Sequence, residues 1–416
     1  MGRNNRPPLL APFQVRNFRL QFPADLLTSW GMEMEILILG WYILAETGSV
    51  FLLTVYGSLQ YSGTLVAPMF GMAGDRFGHR IVLCAMRASY AVMAALLTIL
   101  AFTGLLHPLY VLLISAAIGL VRSSDNAMRN ALVADIMPGE HLMAAMGMSR
   151  TTADSARIFG SLAGASLLAF LGIGPAYVAI TVCYGLCFYL TSMIEARSPG
   201  VPASGGGGLT FLREVREGLV YVRNTPNLHA AMWIAFLVNL LAFPMTSGLM
   251  PYVAKEIYHI GQTGLGALIA SFATGSLIGS LMIGVIGRSL RPARMMLLCC
   301  AGWFAMVLVF VQMPNPVAGQ ITLVMAGFMQ SLGLTPMSTM LLRTAGIRYR
   351  GRVMGVRMLA IYGLPIGLMV AGILIPWMGF RATASMYCLL GLALIAAIGL
   401  WWRAAIWPLT AIGNQR

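Results

Sequence analysis

GMAGDRFGHRIVL, residues 71–83, is a short polar stretch between two long apolar segments. A fainter copy, GVIGRSLRPARMML at residues 284–297, follows an apolar segment in the second half of the chain. Glycine stands at the first and fourth positions of both stretches, and arginine follows in each. Two related halves in the same orientation are typical of transporters that are built from parallel repeats.

The composition of the chain is that of a membrane protein. Of its 416 residues, 58% are hydrophobic and 10% are charged, whereas soluble domains contain about 25% charged residues. A spanning helix needs about 20 mostly apolar residues, and its backbone must bond within itself. We therefore expect an all-α integral membrane protein with twelve transmembrane helices. They are predicted at residues 24–45, 50–70, 81–103, 109–132, 143–170, 175–195, 229–252, 264–286, 295–313, 317–341, 353–376 and 382–402.

The net charge of +14 could indicate a nucleic-acid-binding protein, but the positions of the charges indicate a membrane topology instead. Lys and Arg cluster in alternate loops, and the opposite side keeps only Lys255 and Arg381. Cytoplasmic loops of membrane proteins carry such an excess of basic residues. The pattern predicts that both termini are cytoplasmic and that the basic loops meet anionic lipid heads. It predicts no binding to nucleic acid.

The sequence divides between the sixth and seventh predicted spans. Residues 197–228 contain a glycine-rich linker, SPGVPASGGGGL, followed by a stretch in which four aliphatic residues recur at helical spacing among charged residues. This spacing predicts an amphipathic helix on the cytoplasmic surface. We therefore predict an N-terminal six-helix half at 1–196, a cytoplasmic linker at 197–228 and a C-terminal six-helix half at 229–416.

Residues 71–83 resemble the loop 2–3 signature of the major facilitator superfamily, Gly-x-Leu-Ala-Asp-Arg-x-Gly-Arg-Lys-x-x-Leu. The matching positions are Gly71, Asp75, Arg76, Gly78, Arg80 and Leu83. His79 takes a basic position. The stretches at 34–49, 128–147 and 350–359 resemble the bacterial drug and siderophore exporters that include the enterobactin exporter. The resemblance implies the major facilitator fold and a multi-pass protein of the bacterial inner membrane.

The resemblance also implies a conformational role for the signature loop. In the superfamily, the aspartate at the position of Asp75 holds the start of helix eleven, which is expected here near Arg352. It thereby latches the two halves while the transporter faces outward. A carboxylate can attract the positive N-terminus of a helix in this way. Arg76 and Arg80 either belong to this gate or serve only as topology charges.

Two acids, Glu33 and Glu35, lie inside the first predicted span, in GMEMEILILGW at 31–41. A charge at the centre of a bilayer costs at least about 2.5 kcal/mol. On an α-helix, side chains two positions apart point about 200° apart, so we do not expect one shared role. Helix one lines the central cavity in the superfamily, and Glu35 fits the exporter pattern.

Glu35 is therefore our predicted protonatable group, because a carboxyl group removed from water binds a proton more readily. An acid is also a natural counter-ion for a cationic substrate. Glu33 is either a second acid in the cavity or is neutralised against another helix.

Spans four and five each carry three charges at helical spacing, which predicts one charged face on each helix. The triplets are Arg122, Asp125 and Arg129 in span four, and Arg150, Asp154 and Arg157 in span five. Both lie in the cytoplasmic half, where the two helices could lock together. An ion-paired structural seam is favoured for Arg129 and Arg150. The other four either belong to that seam or face a cavity or gate, as intramembrane charges usually do.

The second half has few polar groups within its spans and no acid at mid-membrane. Its candidate cavity residues are Asn239, Gln330 and Tyr362, with Phe243, Trp303 and Met329 as apolar and aromatic wall. We therefore expect the coupling chemistry in the N-terminal half.

These features predict a transporter and not an enzyme. The five His residues all lie in or near loops, which disfavours an intramembrane active site or metal site. No ATP-binding Gly-Lys-Ser/Thr loop occurs in the sequence, and no cofactor is expected. We predict a monomer that exports a small amphipathic molecule, a drug-like compound or a siderophore, by alternating access with protons as the coupling ion. A metabolite importer, an uncoupled facilitator or a lipid-handling transporter of the same fold stays open.

Overall fold

The computed structural model describes residues 8–195, 208–286, 292–346 and 349–403. Within these ranges the chain is all-α and forms no β-strand. The α-helices, numbered in chain order, are α1 Arg16–Thr47, α2 Val50–Leu59, α3 Ala67–Phe77, α4 His79–Phe102, α5 Pro108–Arg122, α6 Asp125–Ile136, α7 Gly139–Leu171, α8 Ile173–Ser192, α9 Gly208–Asn224, α10 Pro226–Leu237, α11 Met250–Tyr252, α12 Gln262–Ile286, α13 Pro292–Gln312, α14 Pro316–Thr344, α15 Arg350–Ala360, α16 Gly363–Met378 and α17 Phe380–Trp401.

Each predicted span coincides with one helix or with a broken helix. The spans predicted at 50–70, 109–132 and 353–376 are broken ones, formed by α2 with α3, α5 with α6 and α15 with α16. The signature loop is tighter than expected, because only Gly78, with φ 92°, separates α3 from α4. Positive φ is the conformation that glycine adopts without steric cost.

Nine helical segments among the described residues are long and apolar enough to cross a membrane. The pair Val50–Thr64 and Met69–Phe77, which bends by 47°, would form a tenth span. The long helices α1 and α7 fall outside this set, although they contain 32 and 33 residues. Both carry charged side chains along their middle, which lowers their mean hydropathy.

The chain forms two compact units. The first consists of Met1–Gly205 with Pro251–Ala270, and in it α1 packs against α7 and α8 while α4 packs against α8 and α6. The Lys255 ammonium donates a hydrogen bond to the Leu44 carbonyl oxygen, 3.2 Å away, in the last turn of α1. A cation is favourable there because a helix C-terminus carries partial negative charge.

The second unit consists of Gly206–Met250 with Ser271–Arg416. In it α13 packs against α14 and α17, and α16 packs against residues 238–242. The helix α9 covers the described part of the predicted linker and packs on α10 and α15. Arg352 of α15 forms an ion pair with Glu217 of α9 at 2.7 Å, and the rings of Tyr221 and Tyr349 stack at 4.3 Å.

The chain after α10 is wound more widely than an α-helix. Residues 238–242, 244–248 and 253–257 are π-helical. Pro244 has no backbone N–H to continue the α-helical ladder, and its carbonyl accepts from Leu249, five residues on, at 3.1 Å. Short π-helical stretches are frequent at functional sites.

The contact between α1 and α7 depends on small residues. A Cβ at Gly164 of α7 would lie 2.9 Å from the Met34 Cα, and one at Gly160 would lie 3.0 Å from the Glu33 Cβ. Helices in membranes approach closely where glycines lie four residues apart.

We expect Gly164→Ala to destabilise the protein by about 1–3 kcal/mol, as overpacking of a tight contact does. Gly185→Ala is the matched control, because a Cβ at that helical glycine of α8 meets no atom within 4 Å and alanine is the better helix former. Thermal unfolding in detergent, followed by tryptophan fluorescence, measures both variants. Equal unfolding temperatures would contradict the prediction.

Candidate functional site

Glu35 lies at the centre of a buried polar group that we call the Glu35 site: Glu35, Arg122, Gln60 and Tyr184. The Glu35 side chain is 2% exposed. Its Oε2 accepts hydrogen bonds from Arg122 Nη2 at 2.8 Å and from the Tyr184 hydroxyl at 3.0 Å. Arg122 also donates through Nη1 to Gln60 Oε1. The other carboxylate oxygen, Oε1 of Glu35, accepts no hydrogen bond from any described residue.

Glu33 has a different environment from Glu35. Its Oε1 lies 3.7 Å from Nε of Arg157 on α7, and the two side chains are 24% and 47% exposed. The two acids therefore meet arginines of different helices, as expected from their opposite directions on α1. The Arg157 pair is open to the surface, whereas the Arg122 pair is almost closed.

A second buried group is centred about three turns before Glu35 on α1. We call it the Asp25 cluster: Asp25, Asp125, Arg87 and Arg129. Asp25 accepts from Arg87 and lies 3.7 Å from Nε of Arg129, which also pairs with Asp125. The formal charges of the two acids and the two arginines cancel.

Neutral polar groups complete the Asp25 cluster. The Gln21 amide donates to Asp25 at 2.7 Å, Arg129 donates to the Ser29 hydroxyl at 2.7 Å, and Arg87 donates to the Thr191 hydroxyl. The cluster thereby connects α1 with α4, α6 and α8. Buried charges persist in proteins when they are paired and hydrogen-bonded in this way.

Arg122, Asp125 and Arg129, predicted to lie on one helical face, belong to two separate groups of contacts. Span four is interrupted at Ser123 and Ser124, so that Arg122 ends α5 and Asp125 begins α6. Arg122 consequently joins the Glu35 site, while Asp125 joins the Asp25 cluster. Arg129 is ion-paired, as predicted.

The remaining members of the span-five triplet are on α7. Asp154 is half-buried there, and a cavity or gating role for it stays a prediction. The side chain of Arg150 lies outside the described part of the structure.

The signature loop forms its own group of contacts at the turn between α3 and α4. The His79 ring lies 2.7 Å from the Asp135 carboxylate of α6 and 3.7 Å from that of Asp75. Arg80 donates to the Ser192 carbonyl at the end of α8, and the Arg76 guanidinium lies 5.3 Å from the centre of the Phe77 ring. The gating roles of Asp75, Arg76 and Arg80 stay predictions.

The candidates of the second unit lie in different surroundings. The Asn239 amide donates to the Ala235 carbonyl of the preceding turn at 2.8 Å. Gln330 is buried and Tyr362 is half-buried beside the start of α16. Trp303 is fully buried and meets the Phe243 ring edge-to-face at 4.9 Å. Their roles as cavity wall are untested predictions.

Several polar residues of these groups were not predicted. Asp25 lies at the edge of the first predicted span, where an acid resembles a loop residue. Arg87 lies inside α4, fully buried on Asp25. Both could have been recognised from the sequence, because apolar residues flank each of them on both sides. Gln60 and Tyr184 gave no such signal, because neutral polar residues are common in helices.

The described residues contain no group of three or more His, Cys, Asp or Glu side chains that could hold a metal ion. The chemistry available at the Glu35 site is proton exchange and ion pairing.

We expect Arg87→Met to destabilise the protein by about 3–5 kcal/mol, because it leaves buried Asp25 without its closest cation. Arg16→Met is the matched control, since the Arg16–Glu195 pair is 75% and 79% exposed and such pairs contribute less than about 1 kcal/mol. The measurement is again thermal unfolding in detergent. A loss at Arg87 no larger than at Arg16 would show that the cluster is not structural.

Known proteins resemble this chain in sequence and in fold. It is 24% identical over 298 residues to macrolide efflux protein A of Streptococcus pyogenes, covering 66% of this chain and 69% of that protein. It is 24% identical over 306 residues to the enterobactin exporter EntS of Citrobacter koseri, covering 73% and 70%. In fold it is similar to the nucleoside transporter NupG, with a TM-score of 0.71, 13% identity, and 94% and 99% of the two chains covered.

A family model described as transmembrane secretion effector matches residues 8–411. The resemblance to the major facilitator superfamily is thereby confirmed, and the proteins concerned are membrane transporters and not enzymes. The chain belongs to the transmembrane secretion effector family of the major facilitator superfamily.

Proposed function

We propose that this protein exports a small amphipathic organic molecule by alternating access and that entry of protons drives the export. The single observation that carries the coupling is the geometry of Glu35. It is a buried carboxylate whose Oε2 accepts hydrogen bonds from one arginine and one tyrosine. Its other oxygen, Oε1, accepts no hydrogen bond from the described residues. A proton can bind that oxygen while the Tyr184 hydroxyl remains in place.

The other acids of α1 are less suited to this role. Asp25 is shared by two arginines and an amide, so that a proton would have to displace several donors. Glu33 is partly exposed beside Arg157, where water stabilises its charge. Protonation of Glu35 removes its negative charge and breaks the ion pair between α1 and α5 while Arg122 stays charged, and such a change can bias a conformational equilibrium.

The direction of transport rests on the names of the relatives. Two relatives, macrolide efflux protein A and the enterobactin exporter EntS, are named for export. A third, the multidrug resistance protein MdtG of Dickeya zeae, is 25% identical over 278 residues and is named for drug resistance. Macrolides and siderophores are organic molecules with polar and apolar parts, which supports the substrate class proposed here.

The proposed architecture has twelve spans in two six-helix halves, 1–196 and 229–416, joined by a cytoplasmic linker at 197–228. The helices α1 and α7 supply the two spans beyond the ten that are apolar enough by themselves. At about 1.5 Å per residue each is longer than the roughly 30 Å of a bilayer core, and Glu33 of α1 pairs with Arg157 of α7. We place both termini in the cytoplasm and the protein, as a monomer, in a bacterial inner membrane. Asp75, Arg76 and Arg80 would gate its cytoplasmic side.

Purified protein in liposomes tests the coupling. With a labelled macrolide as probe, we expect accumulation against its gradient when a pH gradient is imposed, and none without it. Glu35→Gln should reduce this accumulation to the level of protein-free liposomes, because glutamine cannot exchange a proton. Downhill exchange of the probe should persist in the variant.

Glu46→Gln is the matched control, because it makes the same change at an exposed acid of the same helix, and it should accumulate the probe like the wild type. Unchanged accumulation by Glu35→Gln would remove Glu35 from the mechanism. Probe flux that ignores the pH gradient would favour an uncoupled facilitator. Accumulation in the opposite direction would favour an importer.

A further inference from the structure

Arg122 has two acceptors on two different elements. Its Nη2 donates to Glu35 of α1 and its Nη1 donates to Gln60, the residue that follows α2. A guanidinium can only donate hydrogen bonds, so the oxygen of the Gln60 amide must face it. Gln60 is 8% exposed, so this hydrogen bond to the arginine lies in a nearly closed environment.

The pairing of Gln60 with Arg122 is fixed by the backbone. A Cβ at Gly119 of α5 would overlap the Leu59 carbonyl oxygen, and one at Gly63 would overlap the Leu120 carbonyl oxygen. The two chain segments therefore touch backbone to backbone on either side of Gln60. The Ser62 hydroxyl adds a hydrogen bond to the Ala116 carbonyl at 3.4 Å.

Glu35 belongs to a third element, α1, and its carboxylate meets the end of the Arg122 side chain. The Tyr56 hydroxyl of α2 donates to the Glu35 carbonyl oxygen at 3.4 Å. Because Nη1 and Nη2 of Arg122 bind separate acceptors, the hydrogen bond to Glu35 can break while the one to Gln60 remains.

We propose that Gln60 is a positioning residue of the coupling site, which holds Arg122 in place while Glu35 carries a proton. This inference rests on the proposed function. When Glu35 is neutral, Arg122 loses its charged acceptor, and an unsatisfied buried guanidinium is costly. The Gln60 oxygen remains as an acceptor. Because the amide is uncharged, it neither competes for the proton nor neutralises the arginine, so Glu35 can recover its partner on deprotonation.

Other ionisable groups surround the pair formed by Glu35 and Arg122. They are Tyr56 on α2, Tyr90 on α4, Tyr177 and Tyr184 on α8, and the Glu33–Arg157 pair of α1 and α7, which shares Tyr61 as a neighbour with Arg122. The helix α6, which packs on α1 and α5, carries Asp125 and Arg129, and these two pair with each other. The pair formed by Glu33 and Arg157 has no net formal charge, and the tyrosines are neutral near physiological pH. A charge introduced at position 60, as in Gln60→Glu, is therefore expected to act directly on Arg122 and Glu35.

Two substitutions at this position should act in opposite directions. Gln60→Met removes the acceptor, so protonation of Glu35 leaves Arg122 unsatisfied and should require a lower pH. Gln60→Glu gives Arg122 a second carboxylate, so Glu35 should keep its proton to a higher pH. We expect the midpoint of Glu35 titration to move by about one pH unit in each case, the effect of one nearby charge or hydrogen bond.

Infrared difference spectroscopy of the reconstituted protein measures the midpoint without a substrate. The protonated-carboxyl band that is lost in Glu35→Gln reports Glu35, and the double variant Glu35→Gln with Gln60→Glu identifies the band of the introduced acid. Gln21→Met is the matched control, because this buried glutamine binds Asp25 in the other group. It should leave the Glu35 midpoint unchanged even if it lowers stability.

Opposite shifts for the two variants, with no shift for the control, support the proposal. If wild-type transport is coupled to protons but both midpoints coincide with the wild type, Gln60 is not a positioning residue. If wild-type transport shows no coupling, the proposed function itself fails. Should Gln60→Met fail to fold, Gln60→Asn replaces it, because the shorter amide withdraws its oxygen from Arg122 and should lower the Glu35 midpoint in the same direction; an unchanged midpoint in that variant would overturn the proposal.

Discussion

The constraint on which the first unit depends is that the acids inside α1 need a counter-charge. Three of the four acids of this helix have an arginine on another helix: α5 for Glu35, α7 for Glu33, and α4 and α6 for Asp25. The fourth, Glu46, is exposed near the end of α1. A helix that would be too polar to span a membrane alone is thereby held by ion pairs to four neighbours. Its position in the unit follows from charge pairing as much as from apolar packing.

The two buried groups on α1 differ in how their central acids are bound. In the Asp25 cluster, Asp25 has two arginines and a neutral amide donor around it, and the formal charges of the cluster balance. Such a network is costly to change, because removing one partner leaves a buried charge. The Glu35 site has one ion pair, and Oε1 of Glu35 accepts no hydrogen bond from the described residues. One group is therefore suited to hold helices together and the other to exchange a proton.

The fold by itself does not identify a substrate. The structure is similar both to the nucleoside transporter NupG and to the POT family transporter PepTSo, with TM-scores of 0.71 and 0.73 at 13% and 12% identity. One fold can carry many functions, so specificity depends on the side chains placed on it.

The sequence by itself determined the helical class, the family and the positions of the apolar helices, because hydropathy and the signature loop at residues 71–83 are local properties. It also separated Glu33 from Glu35, since their directions follow from helical geometry alone. Only the tertiary structure decided the partners. The break at Ser123 and Ser124 sends Arg122 and Asp125 to different groups, and Gln60 meets Arg122 only because two glycines let distant segments touch. Such pairings depend on how helices pack in space, and no spacing along the chain encodes them.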